Sequence, residues 1–523
     1  MELINFFRAS GGHSLLIKGD AGTGKTTLAL QLIEELSDEQ PDYYLSTRVS
    51  DEALFRQFPW LEEKARRNDI LKAGKAFLTK TKAPVFRGME DYQYDSTLRV
   101  AKDLLKVLGK SDNASPMVIR SELMKLEGQI EAGEGEDAEA MSGEVTEDGV
   151  VLDIGVMLPE MELAYDMAEA NLPNKTFIVL DSIDALAEHY GISAQKIMNT
   201  LQKDLVEHSG TNVAYIMETS EKNIYDYLGD GVVRLYNAQK DGRRVRELVI
   251  EKLRGQLVMR WKYPFTLVDG RLRVFESNWF NIPDELEPHV PVKDPAPDTV
   301  SSGNESLDKE LGGFRRGSVV LLEIGESVPQ DIVRSIEYSL IADFLSKKRG
   351  VIWSPLYAVN YDALERHMRS MVSKEALSGC LRILDHDAPT EKSYDFVSVI
   401  EGSDAAQDLR LNSLRFMLSK SAVEPYMSIL GFDSLEALYG PSALPDTFVH
   451  LEAMKRAGNV VLAEATASCA GLRQLAHQAR IHIRIESLAG TVMMCGQKPV
   501  SPYYFLDFEA AKERIVPQLV PMV

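Results

Sequence analysis

The chain alternates between short, wholly apolar runs and stretches in which apolar residues return every three or four positions. His13–Lys18 (HSLLIK), Tyr43–Thr47, Phe177–Leu180 (FIVL), Asn212–Met217 (NVAYIM) and Val319–Ile324 (VVLLEI) read as buried strands, and Thr26–Leu36 reads as a helix. Strands of this kind alternating with amphipathic helices predict an α/β fold, a parallel sheet flanked by helices. From about Phe58 to Glu131 the apolar spacing is mostly helical, and Glu127–Asp148 turns acidic and glycine-rich, which predicts a solvated insert. Asn281–Asp298 contains five prolines and almost no apolar pattern, the composition of a stiff extended linker. The expected organisation is therefore a first domain over residues 1–280 with a helical and acidic insert at about 58–160, a linker over 281–298, and a second α/β domain over 299–523.

One loop in this pattern carries chemistry. Residues 19–27 read GDAGTGKTT and fit G-x-x-x-x-G-K-[ST] at Gly19, Gly24, Lys25 and Thr26. A glycine-rich turn between a strand and a helix lets backbone N–H groups converge on phosphate oxygens, and the helix N-terminus favours the same anion. The loop Gly19, Asp20, Ala21, Gly22, Thr23, Gly24, Lys25, Thr26 and Thr27 is expected to bind ATP. Lys25 would lie on the β- and γ-phosphates and Thr26 on Mg²⁺. The partner carboxylate should end a buried strand, which selects Asp181 after FIVL as the second magnesium residue. Asp184 reads either as a first-turn helix residue or as an accessory acid. Glu218 or Thr219, at the tip of the Asn212–Met217 strand, reads either as a γ-phosphate sensor or as a solvated polar cluster.

GDAGTGKTTLALQLIEEL, the LDS at Leu180–Ser182 and EKLRG at Glu251–Gly255 together resemble the KaiC-like branch of the RecA superfamily. SGNESLDKELGGFRRGSVVLLEIG (Ser302–Gly325) and FDSLEAL (Phe432–Leu438) extend the resemblance to the second half. The resemblance implies two tandem RecA/KaiC-like P-loop NTPase domains, the second degenerate. Within that branch, the P-loop neighbourhood, the STRVS after the second strand and the two-domain layout are similar to the archaeal gas-vesicle regulatory family GvpD. It further implies that Lys252 and Arg254 reach the γ-phosphate of a neighbouring subunit in a homo-oligomer, or act within one chain. On the residues alone they could equally be a solvated strand edge. The chain departs from the resemblance in three places. Arg48 and Val49 stand where a catalytic glutamate pair is usual, which puts fast hydrolysis in doubt and leaves Asp51, Glu52 or Asp184 as substitutes. The approach to the first strand is short. The second half reads GESVPQDIVRSI where its phosphate loop belongs, with Pro329 lacking an N–H, Glu326 and Asp331 repelling phosphate and no lysine, so no ATP is expected there and Asp433 becomes a structural strand-end residue.

Charge and composition narrow the remaining classes. The net charge of −21 makes the whole chain a poor nucleic-acid binder, so DNA is an unexpected partner and a recombinase-like activity the weaker alternative. Arg243, Arg244 and Arg246 follow the hairpin signal Asp241–Gly242. They read either as a solvated arm or, by the GvpD resemblance, as a contact for an acidic regulatory partner protein. Cys380, Cys469 and Cys495 form no CxxC pair, and no histidine spacing suggests a metal site. No run approaches the ~18 apolar residues of a membrane span, so a cytoplasmic protein without a membrane partner is expected. Taken together, the expectation is an ATP-binding regulatory protein, a slow ATPase switch acting on a partner.

Overall fold

The computed structural model describes residues 2–46, 51–60, 159–275, 280–386, 393–440, 444–508 and 515–523. Residues 61–158 of the expected insert, together with Arg48 and Val49, lie outside the described residues. The chain forms two compact units. The first comprises Met1–Asn237, Arg246–Lys262 and Asp269–Leu272; the second comprises Ala238–Val245, Tyr263–Val268 and Arg273–Val523.

In the first unit the strands β1 (Ser14–Gly19), β2 (Asp42–Ser46), β3 (Phe177–Asp181), β4 (Asn212–Met217), β5 (Gly231–Lys240) and β6 (Arg243–Leu253) lie in the order β2-β3-β4-β1-β5-β6. β1 is parallel to both neighbours, with Leu16 opposite Tyr215 and Val232. All six residues of β1 are buried, so its run SLLIKG is continuous rather than alternating, as a central strand covered on both faces requires. Helix α1 (Glu2–Arg8) buries Leu3, Ile4, Phe6 and Phe7. Helix α2 (Lys25–Leu36) buries Leu28, Leu32, Ile33 and Leu36, the three-to-four spacing that gives a helix one apolar face. Helix α3 (Asp51–Gln57) follows β2, and α4 (Pro159–Asn171) leads into β3. Helices α5 (Ile183–Tyr190) and α6 (Ala194–Leu201) follow β3, each capped by a serine, Ser182 and Ser193, that accepts a backbone N–H. β5 and β6 turn through Asp241 (φ 51°) and Gly242 (φ 72°), as the Asp-Gly signal predicts.

In the second unit a short pair of β7 (Lys262–Thr266) and β8 (Arg273–Val274) sets Phe265 opposite Val274. β9 (Thr299–Val300) pairs with β10 (Phe314–Arg315) around α7 (Glu305–Leu311). The large sheet contains β11 (Val319–Ile324), β12 (Arg349–Ser354), β13 (Leu381–Asp385), β14 (Val397–Val399), β15 (Val423–Gly431), β16 (Val460–Thr466), β17 (Ile481–Leu488), β18 (Thr491–Lys498), β19 (Val500–Asp507) and β20 (Gln518–Pro521). Its order is β14-β13-β12-β15-β16-β11-β17-β18-β19-β20. It is parallel from β14 to β17 and antiparallel from β17 to β20. The parallel part repeats the β2-β3-β4-β1 order of the first unit as β12-β15-β16-β11, the arrangement expected of a duplicated P-loop NTPase fold.

The proline-rich stretch is irregular, as its composition predicts, yet it is not a free spacer. Leu286 lies in the core of the second unit, and the Val292 N–H donates to Asp343 Oδ1 at 2.8 Å. Asp294 accepts from Lys347 at 3.0 Å and from Arg349. Burial would raise the Asp294 carboxyl, but these bonds outweigh it and hold it at about 2.

Helix α8 (Gln330–Ser346) follows the altered loop of the second unit and turns Arg334 and Glu337 inward. Glu337 accepts from Arg334 Nη1 at 2.9 Å and from Trp353 Nε1 at 3.3 Å. Glu464 of β16 lies beside Glu337, fully buried, and no N–H or O–H donor among the described residues reaches its oxygens. Burial, then the charge of Glu337, push the Glu464 carboxyl well above its usual range. A carboxyl that ionises at a higher pH folded than unfolded makes the native state lose stability as pH rises above the ordinary value of 4.5. Glu464→Gln, which cannot ionise, should therefore flatten the fall in urea midpoint between pH 5 and pH 8, while parent and variant converge at lower pH. Parallel midpoints across that range would mean that Glu464 is ionised in the fold.

Candidate phosphate-binding site

The loop between β1 and α2 is shaped by glycine. Gly22 and Gly24 take φ of 74° and 103°, in the region that L side chains rarely adopt. A Cβ on Gly19 would stand 2.6 Å from Leu235 O and 2.6 Å from Thr23 Oγ1, so backbone and hydroxyl close over that position. Asp20, Ala21 and Gly22 form the exposed rim, while Thr23, Lys25 and Thr27 are buried. Thr23 Oγ1 donates to Asp20 O at 2.9 Å and ties the turn together.

Lys25 folds back over this loop. Its Nζ donates to Gly19 O at 2.8 Å and Asp20 O at 2.9 Å, and lies 3.3 Å from Glu218 Oε2. Thr26 Oγ1 donates to Asp181 Oδ2 at 2.7 Å, so the two residues predicted to share magnesium meet at the strand ends. Tyr44 on β2 also donates to Asp181 Oδ2 at 2.7 Å. Burial, then the nearby Asp181 charge, push the Tyr44 phenol up, which keeps it protonated as a donor. A hydroxyl and a carboxylate side by side are the hard oxygen donors that Mg²⁺ prefers, and the wrapped glycine loop with an ammonium beside it suits a polyphosphate.

Of the accessory candidates, Asp184 is a first-turn residue of α5 whose Oδ2 accepts the Glu218 N–H and joins the tips of β3 and β4. Thr219 Oγ1 accepts the Glu221 N–H at 3.2 Å, while Glu218 is the residue on Lys25. Ser220 Oγ donates to Asp20 Oδ1 at 2.9 Å.

Lys252 and Arg254 are not brought to this loop. Arg254 Nη1 pairs with Asp230 Oδ1 at 2.8 Å, and Asp230 accepts from Ser14 Oγ at 3.0 Å. Ser14 opens β1 and Gly19 closes it, so the pair marks the opposite end of the strand, about 15 Å away at the rise of a strand. An action of Arg254 on its own chain's loop is thereby excluded. Lys252 is half-buried, and burial, then Arg254, lower its ammonium.

The arginine cluster is also corrected. Only Arg244 is exposed; Arg243 and Arg246 are buried, and being three residues apart on β6 they point to opposite faces of the strand. Arg243 donates to Gly496 O at 2.7 Å and Ser501 O at 2.7 Å within the second unit. Arg246 Nη1 donates to Gly22 O at 3.1 Å within the first, so it braces the phosphate loop. In the second unit Asp433 stands in the first turn of α12 (Phe432–Tyr439) rather than at the end of a strand. It accepts from Thr466 N at 2.8 Å, a structural role.

Tyr44, Arg246, Ser220 and a buried charge cluster next to the loop escaped sequence reasoning. Lys18 Nζ donates to Asp226 Oδ1 at 2.8 Å, Glu221 O at 2.6 Å and Asn223 Oδ1 at 3.0 Å. Arg234 pairs with Asp226 and with Glu251 at 2.9 Å. Burial lowers the Lys18 ammonium against the pull of Asp226. A charged residue inside each of two apolar runs, SLLIKG and GVVRL, was the available signal, since buried charges require partners. Among the described residues no group of His, Cys, Asp and Glu could form a separate metal site, and no helix is long and apolar enough to cross a membrane.

Comparison with known proteins agrees with this geometry. Residues 3–251 match the family described as GvpD gas vesicle protein, P-loop domain. Protein GvpD2 of Halobacterium salinarum is 24% identical over 522 residues, which cover 96% of this chain and 92% of that relative. Protein GvpD1 of the same organism is 23% identical over 410 residues, covering 75% of this chain and 63% of that relative.

Gly19→Ala tests the closure of the loop. The added methyl must push Leu235 O or Thr23 aside, at a cost of about 1–3 kcal/mol, read as a lowered melting temperature. Unchanged melting would show that the loop is looser than the 2.6 Å approaches imply.

Proposed function

From the premise that this chain is a GvpD-like P-loop protein, we propose that its first unit binds ATP with Mg²⁺ and acts as a slow nucleotide-controlled switch on a partner protein of the gas vesicle system, in the cytoplasm. The observation that carries this reading is the Thr26–Asp181 hydrogen bond of 2.7 Å beside a lysine folded onto the glycine loop. The N–H groups of residues 22–26 and Lys25 would hold the phosphates. Thr26 and Asp181, the latter oriented by Tyr44, would hold Mg²⁺, which supplies charge neutralisation when bound. Arg246 fixes the loop from behind by its bond to Gly22 O.

Slow turnover is favoured by what surrounds Lys25. The carboxylates at the strand tips already have structural engagements: Asp181 with Thr26 and Tyr44, Asp184 with the Glu218 N–H, and Glu218 with Lys25 itself. None is placed as an unengaged base for a water. Lys252 and Arg254, at the far end of β1, can serve a phosphate only on a second copy of the chain. Arg254 is 71% exposed, and Leu257, Met259 and Trp261 after it are 78%, 81% and 62% exposed. An exposed cation followed by a cluster of exposed apolar side chains suits a subunit contact in a homo-oligomer. The second unit contributes no phosphate loop, since its cradle is replaced by Gly325–Pro329 and the buried carboxyls beneath it. Its place in the reading is to present surface to the partner.

Lys25→Ala should abolish MgATP binding measured by calorimetry, and Asp181→Asn should weaken it mainly in the presence of Mg²⁺. Unimpaired MgATP affinity in Lys25→Ala would refute the phosphate site. For the subunit contact, ATP turnover per chain should rise with protein concentration and fall at least tenfold in Arg254→Ala, with binding retained; a finger is typically worth more than that. Turnover independent of concentration and indifferent to Arg254 would remove the oligomer from the reading.

A further inference from the structure

We infer that Glu218 is a built-in stand-in for the γ-phosphate. It holds Lys25 while the loop is empty of nucleotide, and it ties the segment 218–227 to that loop. The inference rests on the nucleotide reading above and adds a gating residue to it. Lys25 is 5% exposed and Glu218 Oε2 lies 3.3 Å from its Nζ. The lysine's other two donors go to the loop carbonyls of Gly19 and Asp20. The carboxylate thus takes the one direction of the ammonium that faces away from the loop backbone, where a terminal phosphate oxygen would be received. A carboxylate and a γ-phosphate cannot both occupy that direction, because each is an anion requiring the same donor.

The segment beyond Glu218 is built to loosen at this end only. Its near end is attached to the loop by Glu218 on Lys25 and by Ser220 Oγ on Asp20 Oδ1. Its far end is anchored by buried charges: Lys18 on Glu221 O, Asn223 and Asp226, and Arg234 on Ser220 O and Asp226. Lys18 and Arg234 are wholly buried and belong to the central strands β1 and β5, so this end is fixed to the rigid part of the sheet. Exchange of Glu218 for phosphate at Lys25 therefore releases residues 218 and 219 from the lysine, while Ser220, held by Arg234, and Glu221–Tyr227 stay on their anchor. The γ-phosphate, not the nucleoside or the first two phosphates, is what the exchange reports.

The test uses the full chain, its Glu218→Gln and Glu218→Ala variants, MgATP and MgADP. Loss of one partly exposed ion pair should tighten MgATP binding by about two- to fivefold, with a smaller effect on MgADP. Hydrogen exchange at the backbone amides of residues 218 and 219 should quicken in the parent protein when MgATP is added, and should already be fast in Glu218→Gln without it, while residues 221–227 stay slow. Equal or weaker MgATP binding in both variants, or amides that stay slow with MgATP bound, would overturn the inference while leaving the nucleotide site intact. Absence of any nucleotide binding in the parent protein would overturn the site itself, and the inference with it.

Discussion

The placement of β1 between β4 and β5 is the constraint on which the first unit depends. A strand buried on both faces and paired on both edges cannot shift its register, so its two ends become fixed points. One end delivers Gly19 under Leu235 O with no room for a side chain, and the chain can continue only by the wrapped loop that follows. The other end brings Ser14 to Asp230 and, through it, Arg254. The phosphate loop and the arginine are held apart by the same strand that positions both. Within one unit the glycine loop and Arg254 therefore stand at opposite ends of β1.

Buried charge, more than apolar packing, distinguishes this sheet from an ordinary one. Lys18 and Arg234 lie side by side on β1 and β5 with no exposure, a placement that would be prohibitive unless carboxylates followed them inward. Asp226 and Glu251 do so. Burial would raise the Asp226 carboxyl, but the bonds from Lys18 and the Asn223 backbone, with Arg234 close by, hold it below its ordinary range. A charge cluster of this kind adds little net stability, but breaking it strands a charge, so it specifies one arrangement strongly. The segment after β4 is the part of the chain so specified, and it is also the part that touches Lys25.

Much of this was legible from the order of residues. The strand limits follow from continuous apolar runs, which is why Asn212–Met217 and Val319–Ile324 match the structure and the others are displaced by one residue at one or both ends. The phosphate loop was legible because its glycines, lysine and threonine act through backbone conformation and fixed spacing, both local properties. Tyr44 and Arg246 were not, because their roles come from the folded sheet: β2 beside β3 sets Tyr44 near Asp181, and β6 carries Arg246 to Gly22 O although it shares a strand face with the exposed Arg244. A run of arginines after a hairpin signal looks the same in sequence whether it faces water or carbonyls. The attachments of the proline-rich stretch were not legible for a related reason. Proline content forecasts an extended backbone, but it says nothing of Leu286 and Asp294, which fasten that backbone to the second unit.

The second unit shows what a phosphate-binding fold does once its phosphate loop has gone. In the first unit the strand–loop–helix places a cation at the loop and leaves the space beside it to an anion. In the second, the helix after the altered loop carries Arg334 and Glu337 into the core, and Glu464 of β16 is buried beside them with its carboxyl pushed well above its usual range. The guanidinium is satisfied from inside the fold, by Glu337, by Tyr357 O and by Ala358 O at 3.0 Å. An anion arriving at Gly325–Pro329 would meet Glu326 and a proline nitrogen without a proton. The two units therefore differ at this position: the first keeps the glycine loop with its lysine, and the second keeps the strand, loop and helix without them.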